Sequence, residues 1–137
     1  MMIVMTAGPK RDLRALLNGM EPELDPDEFV YCTIPHGART GANAVCTFQE
    51  TEGETLILRR AEAEKHQLNF AFLCRKITLR VHSSLEAIGF LAAIATELAQ
   101  QGISVNCVSA YYHDHLFVPA DQAERALEVL RQLQRRQ

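Results

Sequence analysis

Near the middle of the chain, Lys76-Ile77-Thr78-Leu79-Arg80-Val81-His82 alternates polar and apolar residues, and an apolar stripe at helical spacing follows at once: Leu85, Ile88, Leu91, Ala92, Ala95, Leu98 and Ala99. Period two places Ile77, Leu79 and Val81 on one face of a half-buried strand, and period 3.6 places the later residues on one face of a helix. Such a strand-to-helix passage limits the chain to architectures that mix both elements. Ser83-x-x-Glu86 sits at the junction and reads as a capping box, so the spacing predicts a helix over about 84–101. Gly102 supplies the left-handed residue that ends it.

Beyond Gly102, Ile103, Val105 and Cys107 alternate as a strand, and Val108 interrupts the alternation as a bulge would. His113-Asp114 reads as a tight turn into Leu116-Phe117-Val118. Pro119 and the Asp121-to-Glu124 pattern then open a last helix with the stripe Ala123, Ala126, Leu127, Leu130 and Leu133. From about residue 70 the order is strand, helix, strand, strand, helix. A split βαβ unit closes with one more strand, so another part of the chain or a partner must supply it. The first half offers strand-like segments at 28–35, 44–49 and 55–58, a turn at Glu52-Gly53-Glu54, and helix-like segments at 10–19 and 59–66. Similar elements in both halves point to a structural duplication with its boundary near 65–75, dividing the chain into 1–68 and 69–137.

Length and composition narrow the function classes. The 137 residues make one ordinary domain or two small ones, and 47% hydrophobic residues suffice for a core. Lys and Arg number 14 against 17 Asp and Glu, for a formal charge of -3, so no basic field invites nucleic acid or a membrane surface. Cys32, Cys46, Cys74 and Cys107 are far apart and form no C-x-x-C pair, as expected of reduced thiols in a cytoplasmic protein. The apolar start at Met1–Gly8 lacks the basic region of a leader. The longest apolar stretch, about 87–95, falls short of the ~20 residues of a membrane span.

Several groupings could carry chemistry. His113-Asp114-His115, with His82 at the end of a neighbouring strand, is the densest titratable cluster and has the donor types of a borderline-metal site, but geometry does not require a metal, and a hydrogen-bonded turn or ligand rim is the favoured reading. Ser83 or Ser84 with these histidines and Asp114 has the letters of a hydrolytic triad but no nucleophile elbow. The loop Pro35–Asn43, with two glycines and Arg39, matches no phosphate-binding fingerprint. Arg131, Arg135 and Arg136 suit the carboxyl end of a helix. Free N–H groups at Ser84, Leu85 and Glu86, together with Asn106 on the polar face of the next strand, would suit a zwitterion such as an amino acid; capping and solvent exposure account for the same residues.

Ser84-Leu85-Glu86-Ala87-Ile88-Gly89-Phe90-Leu91, then Leu98–Val105, then Tyr111-Tyr112-His113-Asp114-His115-Leu116-Phe117-Val118-Pro119, resembles the ACT domain, in its subgroup of small stand-alone bacterial proteins with tandem ACT-like halves. The likeness covers about 74–133. The first half is similar in outline, through Leu13, Leu16, Leu17 and Met20-Glu21-Pro22, the strand at 29–34, and Glu52–Leu58. The resemblance implies an α+β fold of two ferredoxin-like βαββαβ halves with mainly antiparallel sheets. It implies binding of a small effector, usually where two such domains meet, with no catalytic residues, no cofactor and no metal. By resemblance the ligand lies along His82, Ser83, Ser84, Glu86 and Gly89 and beside Asn106, with Tyr112, His113, Asp114 and His115 at the rim. Where many effector-binding ACT domains carry an Asp before the helix, this chain has His82-Ser83-Ser84, so Glu86 or Asp114 would have to receive an amine.

The leading expectation is therefore a non-enzymatic, cytoplasmic, homodimeric protein that binds an amino acid or similar metabolite and regulates a separate partner. Two alternatives stand beside it. One is a metal-dependent hydrolase using His82, His113 and His115; the other is a protein-interaction module without a small ligand.

Overall fold

The computed structural model describes residues 8–137; the start at Met1–Ala7, where neither leader nor anchor is expected, lies outside the described residues. In chain order the elements are α1 (Leu13–Asn18), β1 (Pro22–Ile34), β2 (Cys46–Gln49), β3 (Glu54–Arg59), α2 (Arg60–Lys65), β4 (Ala71–Leu79), α3 (Phe90–Gln100), β5 (Asn106–Ser109), β6 (Asp114–Pro119) and α4 (Ala123–Arg135), with a 3-10 turn at Ala120–Gln122. All six strands join one antiparallel sheet in the order β2-β3-β1-β4-β6-β5.

Two long strands at the centre supply the closing strand that the second half lacks. Pro22, Glu23 and Leu24 of β1 pair with Leu79, Thr78 and Ile77 of β4, completing β4, β6 and β5 as a four-stranded unit. Further along, Glu28, Phe29 and Tyr31 pair with Arg75, Cys74 and Ala71, so the start of β4 closes β2, β3 and β1 in the same way. The register shifts between these stretches. A bulge unpairs backbone groups that need other partners. The carbonyl of Asp25 finds one, because Arg75 donates to it from Nε at 3.2 Å and from a terminal nitrogen at 2.9 Å.

Strand alternation sorts the core onto two faces. Beneath α1, α3 and α4 lie Ile77, Leu79, Leu116 and Val118 with Leu16, Met20, Ile94, Leu98 and Leu130. On the same face, α2 contributes Ala63 to a smaller cluster with Val30, Cys32, Ile34, Leu56 and Leu58. The opposite face carries no helix, yet Phe29, Ile57, Cys74 and Phe117 are buried there, flanked by Tyr31, Cys46, Phe72 and Val108. Burial without a covering layer requires the sheet to curl upon itself, as twisted antiparallel sheets do. Phe117 meets Phe29 and Tyr31 edge-on at centroid distances of 5.9 and 6.0 Å.

Several local expectations are corrected. The helix expected over 84–101 begins only at Phe90, and Ser83–Ile88 form a loop. Lys10 explains the difference, since its N–H donates to the His82 carbonyl at 2.8 Å and its own carbonyl accepts from Ser84 N–H at the same distance. That bridge ties Ser83 and Ser84 to Lys10, and only one isolated turn follows, closed by Ala87 N–H donating to the Ser84 carbonyl at 3.0 Å, without continuing into a helix. Gly89 then reverses direction at φ 90° and becomes the N-cap. Glu86 N–H donates to Ser84 Oγ at 3.0 Å and takes no part in a box. At the other end, Gly102 behaves as expected, with φ 71° and Ile103 N–H bonded to the Leu98 carbonyl. The strand after it spans only Asn106–Ser109 and pairs without a bulge at Val108. The turn is Ala110–His113, so Asp114 opens β6 and is not a turn residue. The bulges belong to the β1–β4 ladder. Among the described residues no helix is long and apolar enough to cross a membrane.

Because Phe117 anchors the helix-free cluster while Phe48 on β2 is largely exposed, the two phenylalanines separate sharply. Phe117→Ala is expected to cost about 3–5 kcal/mol in urea denaturation, and Phe48→Ala no more than about 0.5 kcal/mol.

Candidate functional site

The loop between β4 and α3 lies against the start of β6, and a cavity of about 200 Å³ opens between them. Its lining includes Ser83, Ser84, Gly89, the first turn of α3 at Phe90–Ala92, Ser109 and Asp114. The pairing of Ser109 with Asp114 aims both at the helix-covered face. Ser83 Oγ donates to Asp114 Oδ2 at 2.7 Å, and the two residues are only 6% and 4% exposed. A buried carboxylate needs such a donor, and one hydroxyl serves only one of its oxygens. Among the described residues, Oδ1 has no hydrogen-bond partner. On the same cavity, Gly89 offers no side-chain cap, so the first N–H groups of α3 are left to whatever occupies the space. A negative group and a set of unspent donors thus border the same cavity.

The other expected site residues fall into three places. His82, Ser83 and Ser84 also line a neighbouring hollow of about 200 Å³ with Pro9, Leu85 and Tyr111. At its rim the His82 ring lies 5.2 Å from that of Tyr112, and Tyr112 is 4.9 Å from Tyr111. His113 turns Nδ1 toward the Val81 carbonyl at 3.4 Å. Glu86 lies apart, in a shallow groove with Arg11, Asp12 and Ile88. Asn106 pairs with Phe117, three residues along the strand from Ser109 and on the helix-free face, so it does not reach the cavity. His115 is also on that face, its Nδ1 2.9 Å from Thr78 Oγ1.

Asp114 and His115 are neighbours in a strand and point to opposite faces, and among the described residues no three His, Cys, Asp or Glu groups converge on a possible metal position. Ser83 donates directly to Asp114 with no imidazole between them. Burial pushes the Cys74 thiol up to about 12 and raises Cys32 as well, which keeps both protonated. Sequence reasoning missed Ser109 and the amides at Phe90–Ala92; the positive-φ capacity of Gly89 was the one local signal that could have moved the helix start.

Comparison with known proteins agrees with this architecture. Two ACT-domain profiles match, one over residues 9–75 and one over 73–132. The chain belongs to the ACT-domain family, with two such modules in tandem. A crystal structure of a Vibrio cholerae protein of unknown function, described as a possible transport protein, is 42% identical, with a TM-score of 0.80 over 89% of this chain and 95% of that one. The regulatory subunit of aspartate kinase from Thermus thermophilus shares the fold at 14% identity, with a TM-score of 0.63 over 82% of this chain and 95% of that one. Aspartokinase alpha and beta subunits do so at 11% identity and a TM-score of 0.64, with the same coverages. No curated protein matches.

Two measurements check the site's energetics. Ser83→Ala strands a buried carboxylate oxygen and is expected to cost about 1–3 kcal/mol in urea denaturation, well above the effect of Ser84→Ala. Burial, then the nearby charges of Lys76 and His113, hold His115 below the ordinary value of 6.5. The unfolded chain therefore binds this proton first, and stability is lost as pH falls through about 6.5 toward the lower folded value. The fall in melting temperature between about pH 7.5 and 5.5 should be shallower in His115→Gln than in the parent.

Proposed function

We propose that this protein is a non-catalytic sensor of a small α-amino acid, which it holds between the Ser83–Ala92 segment and Asp114 and reports to a separate partner. The observation that carries the reading is the buried Asp114 carboxylate bordering the same open cavity as the uncapped start of α3. A zwitterion satisfies both sides. Its ammonium group meets Asp114 Oδ1 and the hydroxyl of Ser109, and its carboxylate accepts from the N–H groups at Phe90–Ala92, where the helix dipole favours negative charge. Asp114 takes the amine-binding role for which the resemblance left a choice between Glu86 and Asp114. A cavity of about 200 Å³ favours a short side chain.

The same loop offers a route for reporting occupancy. Leu85 is 67% exposed and shares a hollow beside the cavity with Tyr111, which packs against Tyr112 of the β5–β6 turn, so the three form an apolar collar close to the cavity. Monomeric proteins seldom expose such a cluster without a use. A second copy seated on the collar would cover the cavity mouth and couple dimerisation to binding. Unpaired cysteines favour a reducing, cytoplasmic setting, and the net charge of -3 disfavours nucleic acid.

A thermal-shift panel of the proteinogenic amino acids tests the reading. The cognate ligand at 100 times its dissociation constant should add about 2.7 kcal/mol of stability. Asp114→Asn should lose that response while still melting cooperatively, whereas Asn106→Ala, on the other face, should keep it. A panel without any response, or an unchanged response in Asp114→Asn, would overturn the assignment.

A further inference from the structure

Two adjacent serines in the wall of the cavity serve different partners. Ser83 Oγ donates to Asp114 at 2.7 Å, while Ser84 N–H donates to the Lys10 carbonyl at 2.8 Å. Lys10 N–H in turn donates to the His82 carbonyl, so the segment 8–12 runs beside the wall through a parallel bridge between Lys10 and Ser83. The rest of the wall hangs on Ser84, whose carbonyl accepts from Ala87 N–H and whose Oγ accepts from Glu86 N–H, each at 3.0 Å. Ser84 thus joins the cavity wall to the segment that precedes α1.

That segment is lightly held on one side and firmly anchored on the other. Residues 8–14 are all exposed, and two backbone bonds tie them to the wall, so opening uncovers little apolar surface and costs far less than global unfolding. Beyond it, Asp12 Oδ2 caps α1 by accepting from Ala15 N–H at 2.9 Å, and Leu16 and Leu17 are buried in the core. Leu13 also reaches the cavity wall, since a Cβ added at Gly89 would lie 3.8 Å from its Cδ2. A contiguous path therefore runs from Asp114 through Ser83 and Ser84 to Lys10. Arg11 and Asp12 from the segment, with Glu86 and Ile88 from the wall, line one shared groove. Undocking takes that surface apart.

We propose that residues 8–12 form a strap whose docking on Ser83–Ser84 is coupled to occupancy of the amino-acid site, an inference that rests on that cavity taking an amino acid. The wall keeps its place while Lys10 completes the bonds of His82 and Ser84, so a ligand that touches the wall binds the docked state more tightly and shifts the strap toward it. By linkage, the docked strap raises the affinity by the same factor. The groove shared by strap and wall is then the surface that distinguishes a filled site from an empty one.

Amide hydrogen exchange of the isotope-labelled full chain, followed by NMR with L-alanine, L-serine and L-threonine as probes at up to roughly 10 mM, tests the coupling. Saturable shifts at Phe90–Ala92 report a bound probe. With it, exchange at the Lys10 and Ser84 amides should slow by about tenfold or more, while Glu50, whose N–H is bonded to Gly53 in the β2–β3 turn, should exchange as before. Lys10→Pro deletes the donor to His82 and should weaken the probe by about tenfold or more, whereas Lys10→Ala keeps both backbone bonds and should bind it as the parent does. Shifts at Phe90–Ala92 without slowed exchange at Lys10 and Ser84, or parent-like affinity in Lys10→Pro, would overturn the strap and leave the amino-acid site standing. No shift at Phe90–Ala92 with any probe would remove the site itself, and the strap's role with it.

Discussion

The antiparallel pairing of β1 with β4 holds the two modules together. Each strand is long enough to serve both, closing one four-stranded unit with its first residues and building the other with its last. Neither unit has a complete sheet without the other's strand, and an open sheet edge would leave backbone donors and acceptors unpaired. The register shift in the middle of the pairing, with Arg75 supplying the displaced Asp25 carbonyl, lets two locally regular ladders meet in one continuous sheet.

From that seam follows the separation of the sheet's two faces. Once β6 is docked on β4, strand alternation sends Leu116 and Val118 under the helices and His115 and Phe117 to the other side. Asp114 goes with the helix side, where Ser83 meets it, and His115 goes with the open side, where Thr78 meets it. Two residues adjacent in sequence thus enter different chemistry: one borders a cavity at the uncapped start of a helix, the other lies on the helix-free face. The Lys10 bridge acts on the first by tying Ser83 and Ser84 in place, so α3 begins late and its first amides border the cavity.

Periodic segments of the chain could be read well. The strand through Ile77 and Leu79, the apolar stripe of α4 and the stop at Gly102 depend on neighbours within a turn or two and are where the spacing puts them, except that the strand ends at Leu79, short of Val81 and His82. The candidate site was legible in part. Ser83, Ser84, Gly89 and Asp114 converge on one cavity, whereas Glu86 and Asn106 lie elsewhere. Glu86 misled because Ser83-x-x-Glu86 satisfies a helix cap in isolation, and nothing within that segment announces the competing bonds of Lys10. Asn106 misled because its face depends on register against Phe117, which periodicity in a four-residue strand cannot fix.

The amino-acid order by itself determined the alternation of strands and helices, the mixed α+β class, the duplicated plan and the absence of a closing strand in the second half, because each of these is written in local spacing and composition. Tertiary structure alone decided that β1 supplies the strand, that Asp114 and His115 part to opposite faces, and that the curled sheet buries Phe29 and Phe117 on a face without helices. Those outcomes depend on long-range register and on backbone bonds between residues more than fifty positions apart, such as Lys10 with Ser84, and no local pattern encodes them.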